Sequence, residues 1–368
     1  MANPDEIREK ERRAREFMRA KGLTALLLKR QANFSWLTGG GLNLIGIATE
    51  VGVASLLVTE TGKYAITSNI EAPRMKLEEK LEEQGYEIRS FPWYEEGEAA
   101  IVGEIVGKGT LGSDWAFPGA KVLVEDIGRL RYSLTPDEVV RYRWLGERVS
   151  EALERTMATV ERGEKECAVI GRLSNELWKD RIDPITMMSA ADDRIALYRH
   201  SIPMEKKVER FLMVSVNARK GGLIVSTTRF VHFGKISPEL EEKYRANVWI
   251  DCVFMAATRP GVPAREVLAK GIEAYRATGY PDEWKLHHQG GSVGYVGRDY
   301  RTNFQTPDIV QENQAFTWNP SLTGVKSEDT ILVTSEGVEM ITKPVIYPTL
   351  SVEAGGMAFV RPDILRKD

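Results

Sequence analysis

The chain has 368 residues, 42% of them hydrophobic and 28% charged, with a formal net charge of −3 and a pI near 6.0. That length suggests two domains of an ordinary globular protein, and the mild acidity argues against a surface for nucleic acid or an anionic membrane. No apolar run approaches the ~20 residues of a spanning helix, and the highly charged residues 4–10 do not read as a signal peptide. Two cysteines, Cys167 and Cys252, are too few for a disulfide framework or a thiolate zinc site. A cytoplasmic location is expected.

Residues 5–21 read as a polar, Arg/Glu-rich helix with Ile7, Ala14, Phe17 and Met18 on one face, stopped by Gly22. Residues 25–28 follow as a short buried strand, and residues 33–41 carry turn signals ending in Gly39, Gly40 and Gly41. Strands are expected at 51–58 and 64–67 around the turn Glu60-Thr61-Gly62, a helix at 73–84 with Pro73 in its first turn, and strands at 87–91 and 110–114. This alternation indicates an α/β layer domain over residues 1–132.

Residues 130–135 are short and mixed. Pro136-Asp137-Glu138 then opens a long helix running to about residue 162, its acidic first turn suited to the helix dipole, with Gly163 as its stop. A second helix at 168–179 carries Leu173 and Leu177 on one side. Residues 212–218 alternate like a strand, Gly221-Gly222 makes a turn, and residues 223–230 return as the hairpin partner. Helices at 238–255 and 263–278 and strands at 316–320, 329–334 and 338–341 complete an α+β domain over residues 133–368.

The stretch richest in chemistry is residues 287–299, His-His-Gln-Gly-Gly-Ser-Val-Gly-Tyr-Val-Gly-Arg-Asp. It holds two of the four histidines; the others are His200 and His232. Gly290, Gly291, Gly294 and Gly297 allow close backbone approach, and Arg298 offers a planar fork suited to a carboxylate. These features fit the wall of a binding pocket; a tight turn region with one structural histidine fits them too. Adjacent residues of an extended strand face opposite ways, which sends His288 to the pocket and His287 to packing. His232 reads as structural.

Several spacings together resemble one family. Pro136-Asp137-Glu138-Val139 leads a helix containing Arg143; Gly163 and Glu166 begin the next. His200-Ser201-Ile202-Pro203 precedes a hairpin ending Thr228-Arg229-Phe230. Then come His288-Gln289-Gly290-Gly291-Ser292-Val293-Gly294, Asn319-Pro320 and residues 324–330, Gly-Val-Lys-Ser-Glu-Asp-Thr. This order resembles the creatinase/aminopeptidase-P superfamily, which includes Xaa-Pro peptidases. The resemblance implies a creatinase-like α/β N-terminal domain, to which Ser68-Asn69-Ile70-Glu71 and Arg74 also conform, and an α+β "pita-bread" C-terminal domain. It also implies a homodimer in which the N-terminal domain of one subunit lies near the site of the other.

Peptidases of this family hold two metal ions through two Asp, one His and two Glu. At the matching positions this chain reads Ser215, Ser226, Gly291 and Asn319, and only Glu328 survives. Hydroxyls and an amide do not replace bridging carboxylates, so no metal and no cofactor are expected. What remains resembles creatinase, the metal-free member: His200 matches its acid/base, Arg298 the holder of the substrate carboxylate, and Glu328 a second acidic residue. Thr228 stands where creatinase has a glutamate, and the arginine supplied there by a partner subunit has no match around residues 43–49, so the substrate is not expected to be creatine. The expected catalytic residues are His200, Glu328 and His288, with Glu328 raising the His200 pKa. Arg298, Asn319, Thr228 and Tyr295 are expected to bind substrate. The expected function is a metal-independent, creatinase-like hydrolase cleaving a C–N bond in a small carboxylate-bearing molecule, with no nucleic-acid or membrane partner. An M24-type Xaa-Pro peptidase with an altered metal site is the second reading, and a non-catalytic binding module is the third. For the third, the basic stretch at 361–367 is unlike the acidic tails of histone chaperones that use this fold.

Overall fold

Asn3 accepts a hydrogen bond from the backbone N–H of Asp5 and starts the first helix, Pro4–Lys21; Gly22, with φ 65°, ends it in the left-handed conformation. In the computed structural model, which describes residues 3–368, this helix belongs to a first unit that runs to Arg131 and includes residues 221–223; the second unit comprises residues 132–220 and 224–368. Ile7, Ala14, Phe17 and Met18 are buried, the face the apolar spacing picked out.

The first unit is built on a six-stranded sheet in the order Glu87–Phe91, Lys63–Ser68, Val51–Thr59, Ala25–Arg30, Leu111–Ser113, Ala120–Val122. The pairs within 25–68 are antiparallel and the outer ones parallel. Leu26, Leu27 and Leu28 are wholly buried at its centre. Two sequence expectations are corrected here. Residues 31–37 form the helix Gln31–Leu37 rather than a turn, because Phe34, Trp36 and Leu37 are buried. The helix expected to reach residue 84 stops at Leu77, and Lys80 adopts φ 54° soon after, which helical backbone does not allow. The helix Glu98–Val106 was not foreseen.

In the second unit the helix Pro136–Ala158 opens on a capping box in which Thr135 and Glu138 satisfy each other's backbone N–H groups. It ends at Ala158, short of the Gly163 stop. The unit's nine-stranded sheet runs in the order Tyr300–Arg301, Gly290–Val293, Ala315–Trp318, Asp329–Thr334, Leu223–Phe233, Phe211–Lys220, Asp183–Ala191; Gly337–Met340 joins beside Asp329–Thr334 and Leu365–Lys367 beside Leu223–Phe233. The strands at 183–191 and 365–367 and the hairpin Thr349–Ala354/Met357–Pro362 were not anticipated. Helices Pro238–Ala257 and Ala264–Ala277 supply Val248, Phe254, Ile272 and Tyr275 to a core shared with Phe316 and Trp318. Among the described residues, no helix is long and apolar enough to cross a membrane.

Candidate active site

Sheet order gathers the site. Five consecutive strands carry Gly291 on the first, Asn319 just past the second, Glu328 just before the third, Ser226 and Thr228 on the fourth, and Ser215 on the fifth. Glu328 is buried. Its Oε2 accepts the Thr228 hydroxyl at 2.8 Å and lies 2.8 Å from Lys326 Nζ; its Oε1 lies 3.5 Å from Arg298 Nη2. Burial alone would raise the Glu328 pKa, but Lys326 and Arg298 together with the hydrogen bonds hold it below the usual carboxylate range. Thr228 Oγ1 also sits 2.6 Å from Ser215 Oγ. A hydroxyl has one proton, and here Thr228 gives it to Glu328 while Ser215 donates to Thr228. The sequence put Thr228 on the substrate; in the structure it steadies Glu328.

The residues do not fit a dinuclear metal centre. Gly291 has φ 151°, and a Cβ there would stand 2.2 Å from the Tyr300 carbonyl oxygen, so no imidazole can be carried at that point of the strand. Ser215 is engaged with Thr228, and Asn319 offers a neutral amide. The one carboxylate in the family's ligand positions, Glu328, is already paired with an ammonium. Two divalent ions need several anionic oxygens, and these positions supply one.

A different cluster stands nearby. His200, His287 and His288 each present a ring nitrogen, all within 4.8 Å of one another. His287 Nε2 lies 3.1 Å from His200 Nε2, and the ring centres are 4.9 Å (200–287), 5.7 Å (200–288) and 4.6 Å (287–288) apart. The expectation that His287 and His288 face opposite ways is therefore corrected. They lie between the short helix Glu283–Leu286 and the strand Gly290–Val293, outside the paired strand, although His287 itself keeps extended backbone (φ −153°, ψ 144°). Gln289 holds that segment. Its Nε2 donates to the carbonyls of His287 (2.6 Å) and Trp284 (3.1 Å), and its Oε1 accepts the Tyr275 hydroxyl at 2.7 Å. Ser321 Oγ lies 3.3 Å from His287 Nδ1.

All three rings are driven toward the neutral form. Burial and then Lys326 push His287 down to about 2; burial and then Arg298 and Arg301 push His288 to about 4. His200 is exposed at the mouth of the trio, and it too is lowered, by its partial burial and by Lys326, with Glu328 opposing. The upward pull expected from Glu328 is present but outweighed, first by burial and then by Lys326, so the net shift is downward.

The other expected site residues divide. Arg298 donates from Nη1 to the Gly297 carbonyl at 2.7 Å and reaches Glu328 only distantly; its Nε is buried with no hydrogen-bond partner among the described residues. Asn319 Oδ1 and His288 Nδ1 are in the same condition. Tyr295 is buried and gives its hydroxyl to Glu138, which commits it to the helix start at Thr135 rather than to a ligand. His232 Nδ1 lies 3.2 Å from the Gly234 carbonyl, a local structural contact. Sequence reasoning passed over Lys326 and Ser321. Lys326 stands two residues before Glu328, and period-two alternation along an extended segment was a signal for it; nothing in the sequence marked Ser321.

Residues 141–335 match metallopeptidase family M24, and residues 11–122 match the creatinase/prolidase N-terminal domain. An uncharacterized peptidase of Staphylococcus aureus (strain USA300) is 23% identical over 229 residues, 59% of this chain and 64% of that protein, so the match spans less than two thirds of that relative's length. The prolidase from Pyrococcus horikoshii OT3 superposes with a TM-score of 0.78 at 19% identity, over 92% of this chain and 99% of that one. The Xaa-Pro dipeptidase from Bacillus anthracis does so with a TM-score of 0.76 at 19% identity, over 98% of this chain and 100% of that one. At such identities the likeness to solved structures is one of fold.

Proposed function

This chain belongs to metallopeptidase family M24, with a creatinase/prolidase N-terminal domain ahead of a pita-bread domain, and from that premise we propose that it hydrolyses a C–N bond in a small, carboxylate-bearing substrate. The observation that carries this reading is a set of unspent polar atoms in one place. Arg298 Nε, Asn319 Oδ1 and His288 Nδ1 are buried without a partner among the described residues, and each such atom costs about 1–3 kcal/mol if nothing answers it. All three belong to the site built around Glu328 and the histidine trio.

The parts divide by charge. Arg298 has guanidinium donors to spare and takes the substrate carboxylate. Lys326 keeps Glu328 ionised. Asn319 orients a polar group. The trio, uncharged at neutral pH, is the reactive end, from which the attacking water is activated; His200 is its member open to a substrate. Family membership favours short peptides of the prolidase kind as the substrate class. A non-peptide C–N substrate of the creatinase kind is the second reading, favoured by the serines at 215 and 226.

The test is a hydrolysis screen of dipeptides and ureido or guanidino acids, each beside its C-terminally amidated or esterified counterpart. Free-acid substrates are expected to turn over and blocked ones to fail. His200→Ala should lose roughly 10²–10⁴-fold in turnover with its melting temperature unchanged, since the ring is exposed. Arg298→Lys should raise KM more than it lowers kcat, because lysine keeps the charge and loses the fork. Wild-type turnover in His200→Ala, or equal rates on blocked substrates, would overturn the reading.

A further inference from the structure

We propose that His200, His287 and His288 hold one zinc ion with a fourth position open, a centre distinct from the dinuclear carboxylate site of the family. The inference rests on the trio being the reactive end of the site and says how it activates water. Three imidazole nitrogens on a tetrahedral zinc at ~2.0–2.1 Å stand roughly 3.3 Å from one another and set the ring centres about 5 Å apart. The structure shows 3.1 Å between two of the nitrogens and 4.9, 5.7 and 4.6 Å between ring centres.

The donor set chooses the ion. Three neutral nitrogens suit zinc and its late first-row neighbours, whereas magnesium and calcium require oxygens. The supporting shell is also present. Ser321 Oγ is placed to accept from His287 Nδ1–H, which leaves the Nε2 lone pair turned to the trio. Gln289 clamps the backbone between His287 and Trp284. His288 keeps a buried ring nitrogen for which the described residues supply no partner. Lys326, Arg298 and Arg301 oppose a dication, and Glu328, 2.8 Å from Lys326, offsets one of these charges. Three protein ligands and an open position are the pattern of catalytic rather than structural zinc sites.

The test uses the full chain carrying no histidine tag, stripped with chelator and titrated with Zn²⁺ by calorimetry and with Co²⁺ by visible absorption. One ion per chain is expected, with the intense d–d bands of a four- or five-coordinate cobalt. His200→Ala should abolish the bands without loss of fold, since that ring is exposed. His287→Gln should abolish them as well, and Ser321→Ala should weaken Zn²⁺ affinity by about 10–100-fold. Absence of binding, or binding that survives both histidine substitutions, would overturn the proposal. A chelator-stripped protein that takes up no zinc yet hydrolyses its substrate, and loses that activity in His200→Ala, would overturn the zinc centre while leaving the proposed function intact.

Discussion

His287 shows how far neighbours set a residue's chemistry. Its imidazole is an ordinary one by composition, yet burial and Lys326 push its pKa to about 2, and His288 beside it falls to about 4. In an unfolded chain both rings take up protons near 6.5, the ordinary histidine value. Between that pH and the depressed folded values the unfolded state binds more protons, so this share of stability is complete above about 6.5 and is lost as the pH falls. The denaturation midpoint of the chelator-stripped protein should therefore drop from neutrality toward pH 4. The drop should be shallower in a His287→Gln/His288→Asn double variant, whose side chains do not titrate. Parallel curves for the two proteins would mean that the rings are protonated in the folded state.

At the scale of elements, the strand Gly290–Val293 decides which metal chemistry the fold supports. It pairs with Ala315–Trp318 on one side and Tyr300–Arg301 on the other, in a register that sets Gly291 opposite Thr317 and Arg301. Its backbone passes so close to Tyr300 that a side chain at 291 meets a carbonyl oxygen. Gly291→His is thus expected to destabilise the protein by at least about 1–3 kcal/mol, the usual range for forced overpacking, without creating a dinuclear centre. Thermal unfolding and metal content of that variant check both halves. A stable variant that binds two ions would show that the strand yields and that only the missing side chain had kept the family's centre away.

At the scale of the whole second domain, a wholly buried ion network ties the helices to the sheet beneath the site. Arg229 bonds Glu154 Oε1 and Asp329 Oδ1, each at 2.9 Å, and Arg361 bonds Asp251 at 2.7 Å and Asp329 Oδ2 at 3.0 Å. Asp329 is the neighbour of Glu328, so the network also fixes where the site carboxylate stands. Arg229→Met leaves Glu154 and Asp329 buried without their shared cation and should cost about 3–5 kcal/mol, read as a large fall in the denaturation midpoint. A change under about 1 kcal/mol would show that water reaches the carboxylates and solvates them in the cation's place.

Much of the architecture was legible in the sequence because it follows from local rules. The first helix with its Gly22 stop, the strand 329–334, the hairpin around Gly221-Gly222 and the helices after Pro238 and Pro263 are written in periodicity, caps and turns that act over a few residues. Elements whose stability comes from distant partners were not legible: the strand Asp183–Ala191, the helix Gln31–Leu37 with its buried Trp36, and the closing strand Leu365–Lys367. For the site, motif order named His200, His288, Arg298, Asn319 and Glu328 as candidates, and the residue types alone argued against a dinuclear centre. Only the fold could bring His287 to His200 from 87 residues away, place Lys326 on Glu328, and spend Thr228 and Tyr295 on other protein groups. A residue's type states which bonds it is able to make; which of them it makes is decided by whatever the folded chain sets within about 3 Å of it.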